Sequence, residues 1–170
     1  MQNLPIKVIL LASTVGVLLH SAVIPVAGQA SIFGVANYIP VQNKNVTDGD
    51  IISVSNGIYK LSAAEYDANI VGVIVDNPAV SINLDPDAKT YPLISSGTAE
   101  VNVTTVNGAI KKNDKITTSK IAGKGMRATQ SGLVLGDALE GYSEKNPKKV
   151  GKILVNLSTR YAYAQTTTGA

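Results

Sequence analysis

Asp50-Ile51-Ile52-Ser53-Val54-Ser55-Asn56-Gly57-Ile58-Tyr59-Lys60-Leu61 reads as two strands folded about a two-residue turn. Ile52 and Val54 alternate with Ser53 and Ser55, the period of a pleated strand with one buried side. Asn-Gly between two such runs favours the left-handed backbone of a type I′ hairpin turn. Further along, Ile70-Val71-Gly72-Val73-Ile74-Val75 is a continuous apolar run of strand length, closed by Asp76-Asn77-Pro78. Asp85-Pro86-Asp87 reads as a turn. Residues 99–106 alternate again and lead into Asn107-Gly108, which reads as a second hairpin turn, and Ile153-Leu154-Val155-Asn156-Leu157 is the last clear strand. Residues 62–69 alone look helical, for a turn or two. The chain is therefore expected to be all-β.

The hairpin has an echo 64 residues later. Asp50, Ile52, Ser55, Lys60, Ala64 and Gly72 match Asp114, Ile116, Ser119, Lys124, Ala128 and Gly136, six identities in the 30 positions from Val46. Average usage would give roughly two. Gly97 and residues 101–103 (Val-Asn-Val) also echo Gly151 and residues 155–157 (Val-Asn-Leu). The reading is a compact β-barrel or β-clip-like sandwich of two duplicated units, pseudo-repeats at about 34–103 and 104–158, sharing one core. Gly72 and Gly136 sit inside strand runs, where glycine marks a bulge or a close backbone approach.

Composition removes much chemistry. The 170 residues contain no cysteine, which excludes disulfides, thiolate catalysis and cysteine-ligated zinc. The single histidine, His20, lies in the apolar N-terminal run, so the remainder has no residue for a Ser-His-Asp triad or a histidine-bound metal. Charge is uneven. Residues 31–100 hold 3 Lys+Arg against 8 Asp+Glu, whereas residues 101–170 hold 11 against 4.

Residues 8–26 carry no charge, and Lys7 precedes them. A charge-free run of nineteen residues is at the short end for a membrane span and long for a signal-peptide core. Ala27-Gly28-Gln29-Ala30 then offers small residues at the −3 and −1 positions of a cut before Ser31, and Pro25 would end a helix just ahead of it. Residues 1–30 are read as a signal peptide or membrane anchor, residues 31–160 as the β-domain and residues 161–170 as a loose tail. Lys7 sets the usual positive-inside orientation. The expected location is extracytoplasmic, secreted or at the cell surface.

Residues 106–157 carry Gly108-Ala109-Ile110, Asn113-Asp114-Lys115-Ile116-Thr117-Thr118-Ser119, Gly125-Met126, Leu135-Gly136-Asp137-Ala138-Leu139-Glu140 and Gly151-Lys152-Ile153-Leu154-Val155. This order resembles a β-domain of phage tail-fibre and bacterial surface proteins. The resemblance covers about a third of the chain, with Asn113 where that pattern has glycine. It implies a fold more than an activity. No residue maps to the self-cleaving segment that some fibre proteins of this kind carry.

Among candidate sites, Asp48-Gly49-Asp50 and Asp85-Pro86-Asp87 pair carboxylates as calcium would want, without the rest of a calcium loop, so Asx turns explain them better. Ser119-Lys120 would need both side chains on one face, and strand neighbours point apart. Lys111, Lys112, Lys115, Lys120, Lys124 and Arg127, then Lys145, Lys148, Lys149 and Lys152, form basic stretches without interleaved stacking aromatics; Tyr142, Tyr161 and Tyr163 lie outside the first. Nucleic acid is not expected as a partner, whereas an anionic cell-surface polymer is compatible. Gly123-Lys124-Gly125 is too short for a phosphate loop. Asn45, Asn102 and Asn156 each open an Asn-x-Ser/Thr glycosylation pattern.

No catalytic, cofactor or metal residue is therefore expected, and the chain is read as non-catalytic. Two functions remain. One is a structural or adhesive surface subunit, self-associating head-to-tail through its acidic and basic halves or joined to another surface protein. The other is a small-ligand or glycan-binding module using Tyr38, Tyr59, Tyr66 and Tyr91. Membrane contact is expected only through residues 8–26, if they are retained.

Overall fold

The computed structural model describes residues 33–82 and 89–164 and is all-β over them. The expected N-terminal helix and the Asp85-Pro86-Asp87 turn lie outside the described residues. Six strands, β1 (Val35–Ile39), β2 (Ile51–Ser55), β3 (Ile58–Leu61), β4 (Ile70–Ile74), β5 (Val80–Ile82) and β6 (Tyr91–Ile94), form one sheet in the order β3-β2-β4-β6-β1-β5. Five more, β7 (Ser96–Val103), β8 (Lys115–Thr118), β9 (Gly125–Arg127), β10 (Gly132–Ala138) and β11 (Gly151–Ala162), close a barrel in the order β10-β11-β7-β9-β8.

The two sheets follow one plan. Strands β3-β2-β4-β6-β1 of the first run in the same order as β9-β8-β10-β11-β7 of the second. Ile52 pairs with Gly72, and 64 residues on Ile116 pairs with Gly136. Thr47 N–H donates to Asp50 Oδ2 at 3.0 Å, as Lys111 N–H does to Asp114 Oδ2 at 2.8 Å. Gly49 and Asn113, which precede these aspartates, both have positive φ, 86° and 72°. Asn is the non-glycine residue that tolerates this conformation best, which explains the substitution seen in sequence. The barrel closes where Val103 pairs in parallel with Gly125, and the first sheet makes the matching contact as an isolated parallel bridge, Val41 to Tyr59. What distinguishes the first sheet is β5, added beyond β1.

Gly72 and Gly136 lie beside the register shifts in the β2–β4 and β10–β11 ladders. A Cβ on Gly72 would sit 2.3 Å from Ile94 O, and one on Gly136 would sit 2.1 Å from Asn156 O. Both glycines thus let a neighbouring backbone approach closely. The larger core cluster draws on both sheets: Ile51, Val73 and Ile94 pack with Val101, Ile116, Leu135 and Val155. A smaller one around Ile52, Ile74 and Leu93 fills the other side of the first sheet.

Three local expectations differ from the structure. Residues 62–69 form turns instead of a helix, because Tyr66 sits at φ 52° and its hydroxyl accepts from Thr129 and Gln130 N–H. Asn107-Gly108 does turn the chain but joins no hairpin, since β7 pairs with β11 and β9, not with the next strand β8. The Asn107 side chain instead donates to Arg127 O and Thr129 Oγ1, both at 2.8 Å. The echo between Gly97 and Gly151 relates β7 and β11, which are antiparallel partners within one barrel and not equivalent strands of two units. In addition, β11 runs on through Tyr161 and Ala162.

Candidate functional site

Three places stand out: a polar latch between the sheets, an apolar sheet edge and an open groove at the barrel rim. The latch is built on Asp50, which the turn before β2 buries to 1% exposure. Its Oδ2 accepts from Thr47 N and Oγ1, each at 3.0 Å. Its Oδ1 accepts from Asn102 Nδ2 at 2.8 Å and pairs with the Lys124 ammonium. Asn102 Nδ2 also donates to Asp48 O at 2.9 Å, so one amide on β7 ties both aspartates to the barrel. Asp48 Oδ1 accepts from Asp76 N at 3.0 Å, and Oδ2 meets Lys152 Nζ at 2.5 Å. Every oxygen of the Asp48-Gly49-Asp50 pair is thus engaged by the chain itself. Burial alone would lower the Lys152 pKa, but its bond to Asp48 and the charges of Asp48 and Glu100 outweigh that and hold it above the usual lysine value.

The charge split between halves resolves here. Asp48 and Glu100 pair with Lys152, Asp50 with Lys124, and Glu65 with Lys120. Acids of the first half meet lysines of the second inside one molecule. Lys115 is held by Asp137, which also takes Arg160 Nη2 at 2.6 Å, and Lys149 is held by Glu144 at 2.7 Å. Burial would raise the Asp137 pKa, yet the hydrogen bonds and charges of Lys115 and Arg160 prevail and keep it below 3.8. Half of the two basic stretches is thus paired within the molecule: Lys115, Lys120 and Lys124 in the first, Lys149 and Lys152 in the second. Ser119 is buried, its Oγ donating to Lys124 O at 2.8 Å, while Lys120 reaches out to Glu65, so the two do not meet. Asn102, one of the glycosylation-pattern asparagines, is 7% exposed and committed to the latch.

The edge is β5. Val80 and Ile82 lie beside Val35 and Asn37 in parallel register, and Phe33, Val35, Val80 and Ile82 are 75%, 51%, 55% and 49% exposed. No strand among the described residues pairs with the outer side of β5.

The groove, about 410 Å³, lies where β8 begins and β9 and β11 end. Asp114, Lys115, Arg127, Thr129, Gln130 and Tyr163 are among its lining residues. Its wall at residues 128–130 is fixed from two sides. Ala128 N–H donates to Lys115 O at 2.8 Å, and the Tyr66 hydroxyl accepts from Thr129 and Gln130 N–H at 2.7 and 3.0 Å. A left-handed tyrosine of the first sheet thus braces a loop of the second, a strained residue at a place worth functional scrutiny. Tyr163 is 82% exposed and stacks edge-on against Tyr161 with ring centres 5.2 Å apart.

The four tyrosines expected to hold a glycan are all half-buried. Tyr59 and Tyr91 pack on the smaller core, Tyr38 is half-buried on β1, and Tyr66 is the brace. The exposed aromatic pair, Tyr161 and Tyr163, came from the segment read as tail. No protein-family model matches the chain, and no curated protein is significantly similar to it.

Proposed function

We propose that the chain is an exported, non-catalytic structural or adhesive surface subunit, built from a duplicated five-strand unit. Duplication is supported by the shared strand order and by the paired aspartate turns and strand glycines at an offset of 64. Export rests on the apolar residues 8–26 and the small residues before Ser31. The resemblance to fibre and surface β-domains fits the same role.

The observation that carries self-association is the β5 edge. A free strand edge is a template for another chain, and proteins that must stay apart guard it with charge. The opposite edge, β3, carries Lys60 and is partly covered by the Val41 bridge. Val80-Ser81-Ile82 has no charge, no proline and an apolar outer face. Association through this edge does not draw on Asp48, Asp50 and Glu65, which already pair with Lys152, Lys124 and Lys120 within each molecule. Two copies meeting at β5 make an isologous contact that closes as a dimer.

Light scattering across a concentration series of the exported protein tests this. The wild type should exceed the monomer mass and keep doing so at high salt. Val80→Lys with Ile82→Lys should return it to monomer with an unchanged far-ultraviolet circular dichroism spectrum, because both side chains are about half exposed. A wild-type monomer at every concentration would refute the reading, as would an assembly that dissolves in salt and ignores these substitutions.

A further inference from the structure

The rim groove has a feature that its own hydrogen bonding leaves unexplained. Of the two arginines, Arg160 is held by Asp137 and by Ser158 O, whereas the Arg127 side chain has no hydrogen-bond or ion-pair partner among the described residues. Its Nε is buried and unsatisfied. Its guanidinium lies over the Gly108 backbone, where a Cβ would come within 3.0 Å of Nη2. A guanidinium that lines a groove and has no ion-pair partner among the described residues is free to take an acid from elsewhere.

We propose that this groove binds a carboxylate-bearing saccharide, with Arg127 taking the carboxylate and Tyr163 stacking on the sugar ring. The neighbouring chemistry selects this class. A planar fork of donors matches a carboxylate in two bonds. Thr129 and Gln130 offer exposed polar side chains for hydroxyls, on a loop already braced by Tyr66. Asp114, whose Oδ2 accepts from Lys111 N–H, adds an acceptor for hydroxyls and a negative charge that disfavours a dianionic phosphate. The exposed ring of Tyr163 gives a sugar the flat apolar face that an acidic peptide does not need. This site uses none of the residues of the β5 edge, so it stands or falls independently of self-association.

Titration calorimetry on the exported protein tests it, with a triglucuronate, its carboxyl-reduced neutral counterpart and a triglutamate peptide as probes. The acidic sugar should bind, and the other two should bind at least about tenfold more weakly, since a hydrogen bond to a charged group is worth about one decade or more of affinity. Arg127→Gln should lose about tenfold for triglucuronate, and Arg127→Lys should recover part of that loss. Tyr163→Ala should weaken binding several-fold. Neither substitution at Arg127 breaks a hydrogen bond or ion pair among the described residues, so the melting temperature should hold, and that measurement separates lost binding from lost folding. No binding of triglucuronate overturns the proposal. So does equal binding of the neutral sugar, equal binding to Arg127→Gln, or preference for the peptide.

Discussion

Replacing Lys124 by Met should destabilise the protein by about 3 kcal/mol. The Lys124 side chain is 16% exposed and that of its partner Asp50 only 2%, so water cannot replace the lost ammonium. Removing one member of a buried pair costs about 3–5 kcal/mol, because the other charge stays behind uncompensated. Asp50 keeps three bonds, from Thr47 N, Thr47 Oγ1 and Asn102 Nδ2, which places the cost at the lower end of that range. For a domain of this size that is a fall of about 6–12 °C in melting temperature. Asp50→Asn should cost a similar amount, since an amide nitrogen at the Oδ1 position would face two donors, Lys124 and Asn102 Nδ2. The double variant should lose about 2 kcal/mol less than the sum, as residues sharing a network are not additive. Urea unfolding of the four proteins, followed by far-ultraviolet circular dichroism, gives the cycle. One transition is expected in each, because the larger core joins both sheets. Additive losses below about 1 kcal/mol each, the size of a solvated surface pair, would refute the latch.

Two further outcomes follow from the same geometry. Gly72→Ala and Gly136→Ala should each cost about 3 kcal/mol or more by thermal melting, since the new Cβ would meet backbone oxygens at 2.3 and 2.1 Å that cannot turn aside. Gly57→Ala should cost only about 1–2 kcal/mol, because its site is open and only the φ of 75° resists a side chain. Asp137 predicts an acid limb: its folded pKa lies below 3.8, so its contribution is complete above that value and lost as pH falls through the folded pKa. The melting-temperature gap between wild type and Asp137→Asn should therefore be constant from about pH 5 to 7 and shrink below about pH 4, and a gap that widens in acid would contradict the assignment.

The sequence carries its local rules openly. Asn56-Gly57 makes the expected turn, with φ of 51° and 75°, and the offset of 64 finds the aspartate turns and the strand glycines because each depends on a few neighbouring residues. What it hides is set by distant partners. Lys60 and Lys124 align as a repeat, yet Lys60 is exposed and Lys124 is drawn in against a buried aspartate 74 residues away. Residues 62–69 have helical composition, but Tyr66 is drawn out to brace the loop at Thr129. Strand β5 is three residues long and too short to show a period. Arg127 sits among lysines in sequence, and only the fold shows that it has no ion-pair partner among the described residues.

The acidic and basic halves now have a different meaning. Read along the chain, opposite charge on two lobes suggests one copy reaching for the next. In space, the lobes are fused through a shared core, and the opposite charges line the junction between them. Asp50 with Lys124 and Asp48 with Lys152 each pair an acid of the first half of the chain with a lysine of the second. Part of the asymmetry is thus taken up inside the molecule, and the apolar edge at β5 and the guanidinium of Arg127 lie outside that pairing.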